Sequence, residues 1–288
     1  MKIVDLHTHS TASDGSNTPS ELVDLAIQKG LSALALTDHD TTAGLSEVLE
    51  AGKKAREKGH DLEIIPGIEL STDYTGTDVH IVGLYIDPST PSFQKHLEDF
   101  IASRDVRNTR ICARFKEVAN IEINLDMLRA EFPDAVLTRA HFGRYLLKHG
   151  YVSSMKEAFD RYIGDRAPCF VPREKVDPRD GVSLILQAGG IPIFAHPILC
   201  RFSDRKLEKL VADLKEADLM GIEAIYSTYK PHEERQIRSL AAKYDLAISG
   251  GSDYHGEAKP GLELATGYGN LMVPMDVLEG LKKKAGMI

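Results

Sequence analysis

This 288-residue chain holds eleven histidines and 43 acidic residues, and those able to share a ligand gather in a few short tracts. His7-Thr8-His9 follows the apolar run Ile3 to Leu6. Residues i and i+2 of an extended segment point the same way, so both imidazoles can reach one cation. Asp14 comes soon after, in Ser13-Asp14-Gly15. Asp38-His39-Asp40 ends a second apolar run, and Glu69 ends a third in Pro66-Gly67-Ile68-Glu69. His196-Pro197 follows Ile191 to Ala195, and Asp253-Tyr254-His255 follows Leu246 to Ile248 through a glycine pair. Singly, most of these have an ordinary explanation as turn aspartate, satisfied core histidine or helix cap. Jointly they place histidine or carboxylate at the ends of several strands. Nitrogen and oxygen donors without cysteine suit Mn, Zn or Fe and not a structural zinc knot. Their number exceeds one ion's needs, so a multinuclear site is expected, of the kind that makes hydroxide near neutral pH and clamps both oxygens of a displacement. His80 opens a strand-like run instead of closing one, and its position alone favours a packed histidine. His60, His96, His149 and His232 receive no role.

The elements that must position these groups show as short apolar runs: Ile3 to Leu6, Ala33 to Leu36, Leu62 to Ile68, Val79 to Ile86, Ile191 to Ala195, Gly221 to Ile225 and Leu246 to Ile248. Helical patterns separate several of them. Thr18-Pro19-Ser20-Glu21 is a capping box with proline at the first helical position, and Gly30 ends that helix. Ala43 to Lys58, Asp204 to Glu216 and His232 to Tyr244 read similarly. The alternation predicts βαβ units in a mainly parallel sheet, and about seven strands suggest an α/β barrel with function at the C-terminal strand ends. From residue 91 to 166 the patterns are helical. We expect a metal-binding barrel from residues 1–90 and 167–288, with 91–166 inserted as a helical cap. Arg104, Arg107, Arg110 and Arg114 form a stripe at helical spacing that reads by itself as a solvated face.

Charge follows the same division. Residues 101–180 hold 15 basic and 12 acidic side chains, a balance of +3, and the remaining 20 and 31 leave −11 elsewhere. A basic insert beside an acidic body fits a body that holds cations and an insert that meets an anion. The net charge of −8 excludes a polyanion-coating protein and gives no sign of a membrane-surface binder or of stable binding to duplex nucleic acid. Cys112, Cys169 and Cys200 are odd in number and far apart, which suits a reducing compartment. The strand-like opening leaves no room for a signal peptide, no apolar stretch approaches spanning length, and a cytoplasmic protein is expected. GxSxG, GxxxxGK[ST] and helix-opening GxGxxG motifs are absent.

Taken together these tracts resemble the polymerase and histidinol phosphatase (PHP) family. The matching stretches are Asp5 to Ser10, Ser13 to Gly15, Leu36 to Thr42, Pro66 to Glu69, Val79 to Leu84, Ala195 to Pro197 and Gly251 to His255. The resemblance implies a distorted seven-stranded (β/α) barrel with three divalent ions, manganese foremost and zinc or iron as alternatives. It implies that His7, His9, Glu69 and Asp253 hold one ion, that Glu69 bridges to a second completed by His80 and His196, and that Asp14, His39 and His255 hold the third. No catalytic side chain is implied beyond a metal-bound hydroxide.

Within the family the chain is most similar to the branch of the 3′,5′-nucleoside bisphosphate phosphatases and the 5′→3′ exoribonuclease RNase AM. The residues that carry this are Ser10 to Asp14, the helical insert, and Thr138-Arg139-Ala140-His141-Phe142 within it. Thr138, Arg139 and His141 would then meet substrate phosphate, arginine being suited by its two-pronged hydrogen bonding. That branch usually continues histidine-proline with Gly-Arg-Tyr, whereas this chain reads His196-Pro197-Ile198-Leu199-Cys200-Arg201, with Arg201 as a substitute from a shifted loop. Tyr226, Tyr229 and Lys230 either supply base stacking or a second phosphate contact, or simply pack.

The expected activity is hydrolysis of the 3′-phosphate of nucleoside 3′,5′-bisphosphates, with 5′→3′ action on short 5′-phosphorylated oligonucleotides; the partners would be a small phosphorylated nucleotide and short RNA. Histidinol phosphate or another small phosphomonoester is the alternative substrate. An amidohydrolase would not need the Asp14, His39 and His255 set, and a non-catalytic metal-binding regulator would be expected to have lost some of nine donors.

Overall fold

The computed structural model describes residues 2–165, 167–172 and 176–288. The chain opens with β1 (Val4–Asp5), α1 (Pro19–Gln28), β2 (Ala33–Leu36), α2 (Leu45–Glu57), β3 (Glu63–Tyr74) and β4 (Thr77–Leu84). Helices follow: α3 (Pro91–Arg114), α4 (Leu125–Glu131), α5 (Arg139–Lys148), α6 (Met155–Ala158) and α7 (Pro178–Gln187). Alternation then resumes with β5 (Ile191–Phe194), α8 (Asp204–Glu216), β6 (Gly221–Tyr226), α9 (Pro231–Lys243), β7 (Ala247–Gly251) and α10 (Met275–Lys284). The predicted cap at α1 forms as a reciprocal pair: the Glu21 N–H donates to Thr18 Oγ1 at 3.2 Å and the Thr18 N–H to Glu21 Oε2 at 2.8 Å.

The strands neighbour one another in chain order in one seven-stranded sheet. The ends of the sheet meet just past β1 and β7, where the His9 N–H donates to the Tyr254 carbonyl and the Asp253 N–H to the His7 carbonyl, both at 2.9 Å. The fold is therefore a mixed sheet nearly closed into a barrel and wrapped by helices. The expectation of a mainly parallel sheet needs one correction, at β4, which runs antiparallel to both β3 and β5. Its cause is local. Thr75 and Gly76 join β3 to β4 with φ of 53° and 81°, the left-handed pair of a tight hairpin, whereas a parallel partner needs a long crossover. Glu69 also does not end its strand, since β3 runs on to Tyr74.

Side chains alternate between the two faces of each strand. In β2, Leu34 and Leu36 join the large cluster under the outer helices, while Ala33 and Ala35 join a second cluster with Ile193, Ala195 and Ile225 inside the barrel. That interior is filled with apolar atoms, so the barrel is a core and polar chemistry is left to one rim.

Residues 91–165 hold no strand. They pack a cluster of their own around Ile111, Phe115, Phe142, Leu146 and Ile163, while Phe93, Leu97 and Phe100 at the start of α3 belong to the main core. The expected end of this segment, Arg166, lies outside the described residues. The arginine stripe is not a solvated face. Arg110 and Arg114 are exposed, but Arg104 and Arg107 are buried, and Arg104 donates from Nε to Asp40 Oδ2 at 2.9 Å and from Nη2 to Ser71 Oγ at 2.9 Å. No helix of the described residues is long and apolar enough to cross a membrane.

The seam between β7 and the chain after β1 is tight at Gly251. A Cβ added there would lie 2.5 Å from His7 Cβ and 2.6 Å from His7 N. Gly251→Ala is expected to cost about 1–3 kcal/mol by overpacking. The check is the urea midpoint, with an unchanged slope identifying a loss in the native state.

Candidate metal centre

At the rim where the parallel strands end, the donors converge on one carboxylate. Glu69 Oε2 lies 3.1 Å from His7 Nε2, 3.1 Å from His9 Nε2 and 3.2 Å from His39 Nδ1. Glu69 Oε1 lies 2.7 Å from His80 Nδ1 and 2.9 Å from His196 Nε2. Asp253 Oδ1 sits 3.3 Å from His9 Nε2, and Asp14 Oδ1 sits 3.2 Å from His255 Nε2. The hairpin explains His80: because β4 runs backwards, its start is level with the end of β3, and His80 pairs in register with Ser71. Position in the run misreads it, because polarity along the chain is reversed there.

Among the described residues, three groups of donor atoms are mutually close enough to share an ion: His7, His9, Glu69 and Asp253; His9, Asp14, His39 and His255; and His39, Glu69 and His80. Several of these atoms are buried yet lack a hydrogen-bond partner, namely His7 Nε2, both ring nitrogens of His9, Asp14 Oδ1, His39 Nδ1 and Glu69 Oε2. Orphaned buried polar atoms are costly and rare in a native protein. Donors placed about 2.0–2.2 Å from a shared cation would stand roughly 3.0–3.4 Å apart, which is the spacing seen here. The residues present therefore fit divalent ions.

Neighbouring acceptors fix which nitrogen faces inward. Glu223 Oε1 lies 3.1 Å from His7 Nδ1, and the Asp253 carbonyl lies 2.8 Å from His255 Nδ1. A carboxylate or carbonyl can only accept, so both Nδ1 atoms carry protons and both Nε2 lone pairs point to the cluster. Glu223 also accepts the His196 N–H at 2.8 Å. Asp253 Oδ2 takes the Tyr226 hydroxyl at 2.6 Å and Lys259 Nζ at 2.5 Å. Asp38 accepts from Ser10 N, Ser10 Oγ and Ser13 Oγ at 2.6–2.8 Å, which shapes the loop that presents Asp14. Non-glycine residues take left-handed φ at Asp40 (53°), His196 (30°) and Asp253 (56°), a concentration of backbone strain at one rim.

Burial alone would neutralise Glu69, but the imidazoles of His39, His7 and His80 hold its carboxyl well below the usual range. Burial likewise opposes charge on His9, yet the Asp253 and Glu69 carboxylates raise it to about 9. His39 is pushed down to about 3 by burial, against the pull of Glu69 and Asp14. The rim is thus an array of carboxylates held ionised among imidazoles, a donor set suited to cations.

Beside it opens a cleft of about 150 Å³, lined by Asp14, His39 and His80 of the cluster and by Arg104, Arg107, Thr138 and Arg139 of the helical segment. Arg139 reaches Asp165 Oδ1 at 2.6 Å and Asp78 Oδ2 at 3.1 Å, so it stands at the cleft wall already paired. Thr138 caps α5 and donates to Asp14 Oδ2 at 3.0 Å. His141 is buried, accepts the Thr138 N–H on Nδ1 at 2.9 Å, and is pushed down to about 4 chiefly by that burial. Those two side chains are engaged within the protein. Lys230 and Arg201 are exposed and do not line this cleft. Tyr226 and Tyr229 are buried, and the Tyr229 hydroxyl accepts the Ile198 N–H at 3.1 Å.

Sequence reasoning missed Glu223 and Lys259, and it placed Asp38 at a strand end without its role in holding Ser10 and Ser13. Glu223 had a readable signal, being the one charge in the run Gly221 to Ile225. Lys259 had none, since loop charges beside turns are ordinary.

Comparison with known proteins follows the same lines. Residues 5–164 match the model of the PHP domain. A 5′-3′ exoribonuclease of Haemophilus influenzae is 38% identical, covering 88% of this chain and 90% of that protein. A 3′,5′-nucleoside bisphosphate phosphatase of Chromobacterium violaceum is 33% identical, covering 92% and 91%. A solved structure from Chromobacterium violaceum, named an amidohydrolase and carrying bound sulfate, is 30% identical with a TM-score of 0.86, covering 98% of this chain and 96% of that one.

Glu223→Gln offers a test of the supporting carboxylate. A glutamine can accept from His7 or from the His196 N–H but meets the other with a donor. Divalent-ion affinity is expected to fall about 10- to 100-fold, measured by titration calorimetry, with the far-ultraviolet circular dichroism unchanged.

Proposed function

Since the chain belongs to the PHP domain family, we propose that it is a metal-dependent phosphoesterase that removes the 3′-phosphate of nucleoside 3′,5′-bisphosphates and trims short 5′-phosphorylated oligonucleotides from the 5′ end. The observation that carries this reading is a set of orphaned donors converging on Glu69 beside a cleft lined by arginines. Relatives named for these two activities, each covering about nine-tenths of this chain, support it.

We assign three divalent ions, manganese foremost. His7, His9, Glu69 and Asp253 would hold the first; Glu69, His80 and His196 the second; Asp14, His39 and His255 the third. When bound, the ions supply Lewis acidity and a water acidic enough to ionise near neutral pH. The chain's own groups do the rest. Glu223 and the Asp253 carbonyl orient His7 and His255, and Tyr226 and Lys259 hold Asp253. Residues 91–166 act as a cap on the barrel of 1–90 and 167–288. Arg139 at the cleft wall exchanges part of its pairing with Asp78 and Asp165 for the 5′-phosphate, and Thr138 and His141 set the height of α5 against Asp14. Lys230 and Arg201 retain at most an outer role. A cytoplasmic location suits this substrate class and the free thiols.

A histidinol-phosphate phosphatase is less well supported, because a single phosphate leaves the cap without a second anion to hold. The amidohydrolase name of one structural neighbour shares the barrel and not the reading, since the third donor set has no task in it.

Chelation is expected to abolish phosphate release from adenosine 3′,5′-bisphosphate and manganese to restore it. Equal turnover after complete demetallation would remove the ions from the mechanism. Arg139→Ala should lower kcat/KM for the bisphosphate about 10- to 100-fold, the worth of a charge-assisted hydrogen bond, and should lower it much less for an aryl phosphate.

A further inference from the structure

A second hollow, of about 660 Å³, lies between α4–α6 and the loop after β7. Phe132, Arg144, Lys148 and Lys156 form one wall and Glu257 the other. It lies near the cleft. Asp14 lines the cleft, and the carbonyl of the next residue, Gly15, accepts from Arg144 Nη1 at 3.4 Å. Glu257, two residues past His255, donates its N–H to Ser16 Oγ at 2.8 Å. Two residues of the groove wall, Arg144 and Glu257, are therefore tied to the chain just past Asp14.

Arg144 is the telling residue. It is half-buried, its guanidinium stacks 4.7 Å from the Phe132 ring centre, and it forms no ion pair with a carboxylate among the described residues. A partly desolvated cation backed by an aromatic ring and held in no direct ion pair, with the charges of Asp14, Glu257 and Glu131 acting on it from farther off, suits a flat π-system. Lys148 and Lys156 stand exposed on the same wall, Lys156 paired with the exposed Asp160 one turn on and Lys148 3.3 Å from Glu131, a largely buried carboxylate that also lines the groove. The cleft beside the cluster is smaller than the about 300–1,000 Å³ of sites that enclose a whole small molecule. It has room for a phosphate with its sugar and little beyond. A phosphodiester held at the cluster carries a nucleoside on each side. With the first against Arg139, the second must leave past another edge, and Arg144 of this groove stands against the chain just past Asp14.

Resting on the phosphoesterase reading above, we propose that this groove holds the second nucleotide of a 5′-phosphorylated single-stranded oligonucleotide. Its base stacks on the Arg144 guanidinium that Phe132 backs, and the next phosphate meets Lys148 and Lys156. The groove would favour oligonucleotides over bisphosphates without supplying a side chain to the hydrolytic centre.

The test compares two substrates on the manganese-loaded enzyme, a 5′-phosphorylated dinucleotide and a nucleoside 3′,5′-bisphosphate. Arg144→Gln is expected to reduce kcat/KM on the dinucleotide about 10- to 100-fold, the range for losing one stacked base, and to leave the bisphosphate within about 2-fold. Lys148→Gln, at an exposed position and assayed on a 5′-phosphorylated trinucleotide, which carries that next phosphate, should give a smaller selective loss of about 3-fold that fades as salt rises. An unchanged dinucleotide rate in Arg144→Gln overturns the proposal. If Arg144→Gln depresses both substrates equally, Lys148→Gln decides: a selective loss supports the groove, and none overturns it. Wild-type enzyme that cleaves the bisphosphate but no dinucleotide overturns the groove alone, whereas failure on both substrates overturns the phosphoesterase reading itself.

Discussion

One buried carboxylate organises this molecule. Glu69 has no solvent exposure, and removing an ionised carboxylate from water costs several kcal/mol unless partners surround it. Here the partners are imidazoles from five other places in the chain, His7, His9, His39, His80 and His196, all within 3.2 Å of one of its two oxygens. Those imidazoles are themselves buried or nearly so and depend on carboxylates in turn. Neither set is stable without the other, and both leave atoms unsatisfied. Divalent ions held by these donors would satisfy both sets and would couple folding to ion binding.

The barrel is arranged to permit that convergence. Alanines inside β2 and at the end of β5 keep the bore narrow, so chemistry is confined to the rim. The seam at Gly251 brings β7 against the backbone of His7, which sets Asp253 beside the HxH pair. Left-handed backbone at Asp40, His196 and Asp253 then turns the chain sharply where side chains must point inward. Strain of about 1–3 kcal/mol at each such residue persists only where surrounding contacts over-determine it, as the buried carboxylates of Asp38, Asp5 and Glu223 do here.

The helical segment is attached to the cluster, and not merely near it. Thr138 donates to Asp14, Arg104 pairs with Asp40 next to His39, and Arg144 touches the carbonyl after Asp14. Side chains of the helical segment and side chains of the donor cluster therefore share hydrogen-bond partners. Changes at Thr138 are expected to be felt at the cluster through Asp14, whose carboxylate it binds.

Most of the barrel was legible from residue pattern, because period-two apolar runs, caps and glycines are local signals. The HxH pair, His39, His196 and the Asp253-His255 pair were legible as well, since a strand end is a place that the chain itself marks. The direction of β4 was not read, and with it the position of His80, because strand polarity follows from a two-residue turn whose consequence appears only across the sheet. The burial of Arg104 and Arg107 was also beyond the pattern: a basic stripe looks solvated until the carboxylate of Asp40 arrives from 64 residues away to meet it. Tertiary structure likewise decided that His141 and Thr138 support the loop of Asp14, and that Arg144 stacks on Phe132 without a direct ion pair among the described residues. Residue types and spacing determine which donors exist and which face they take. Only the closed barrel determines which of them share an ion, because that depends on distances between strand ends that no local interaction sets.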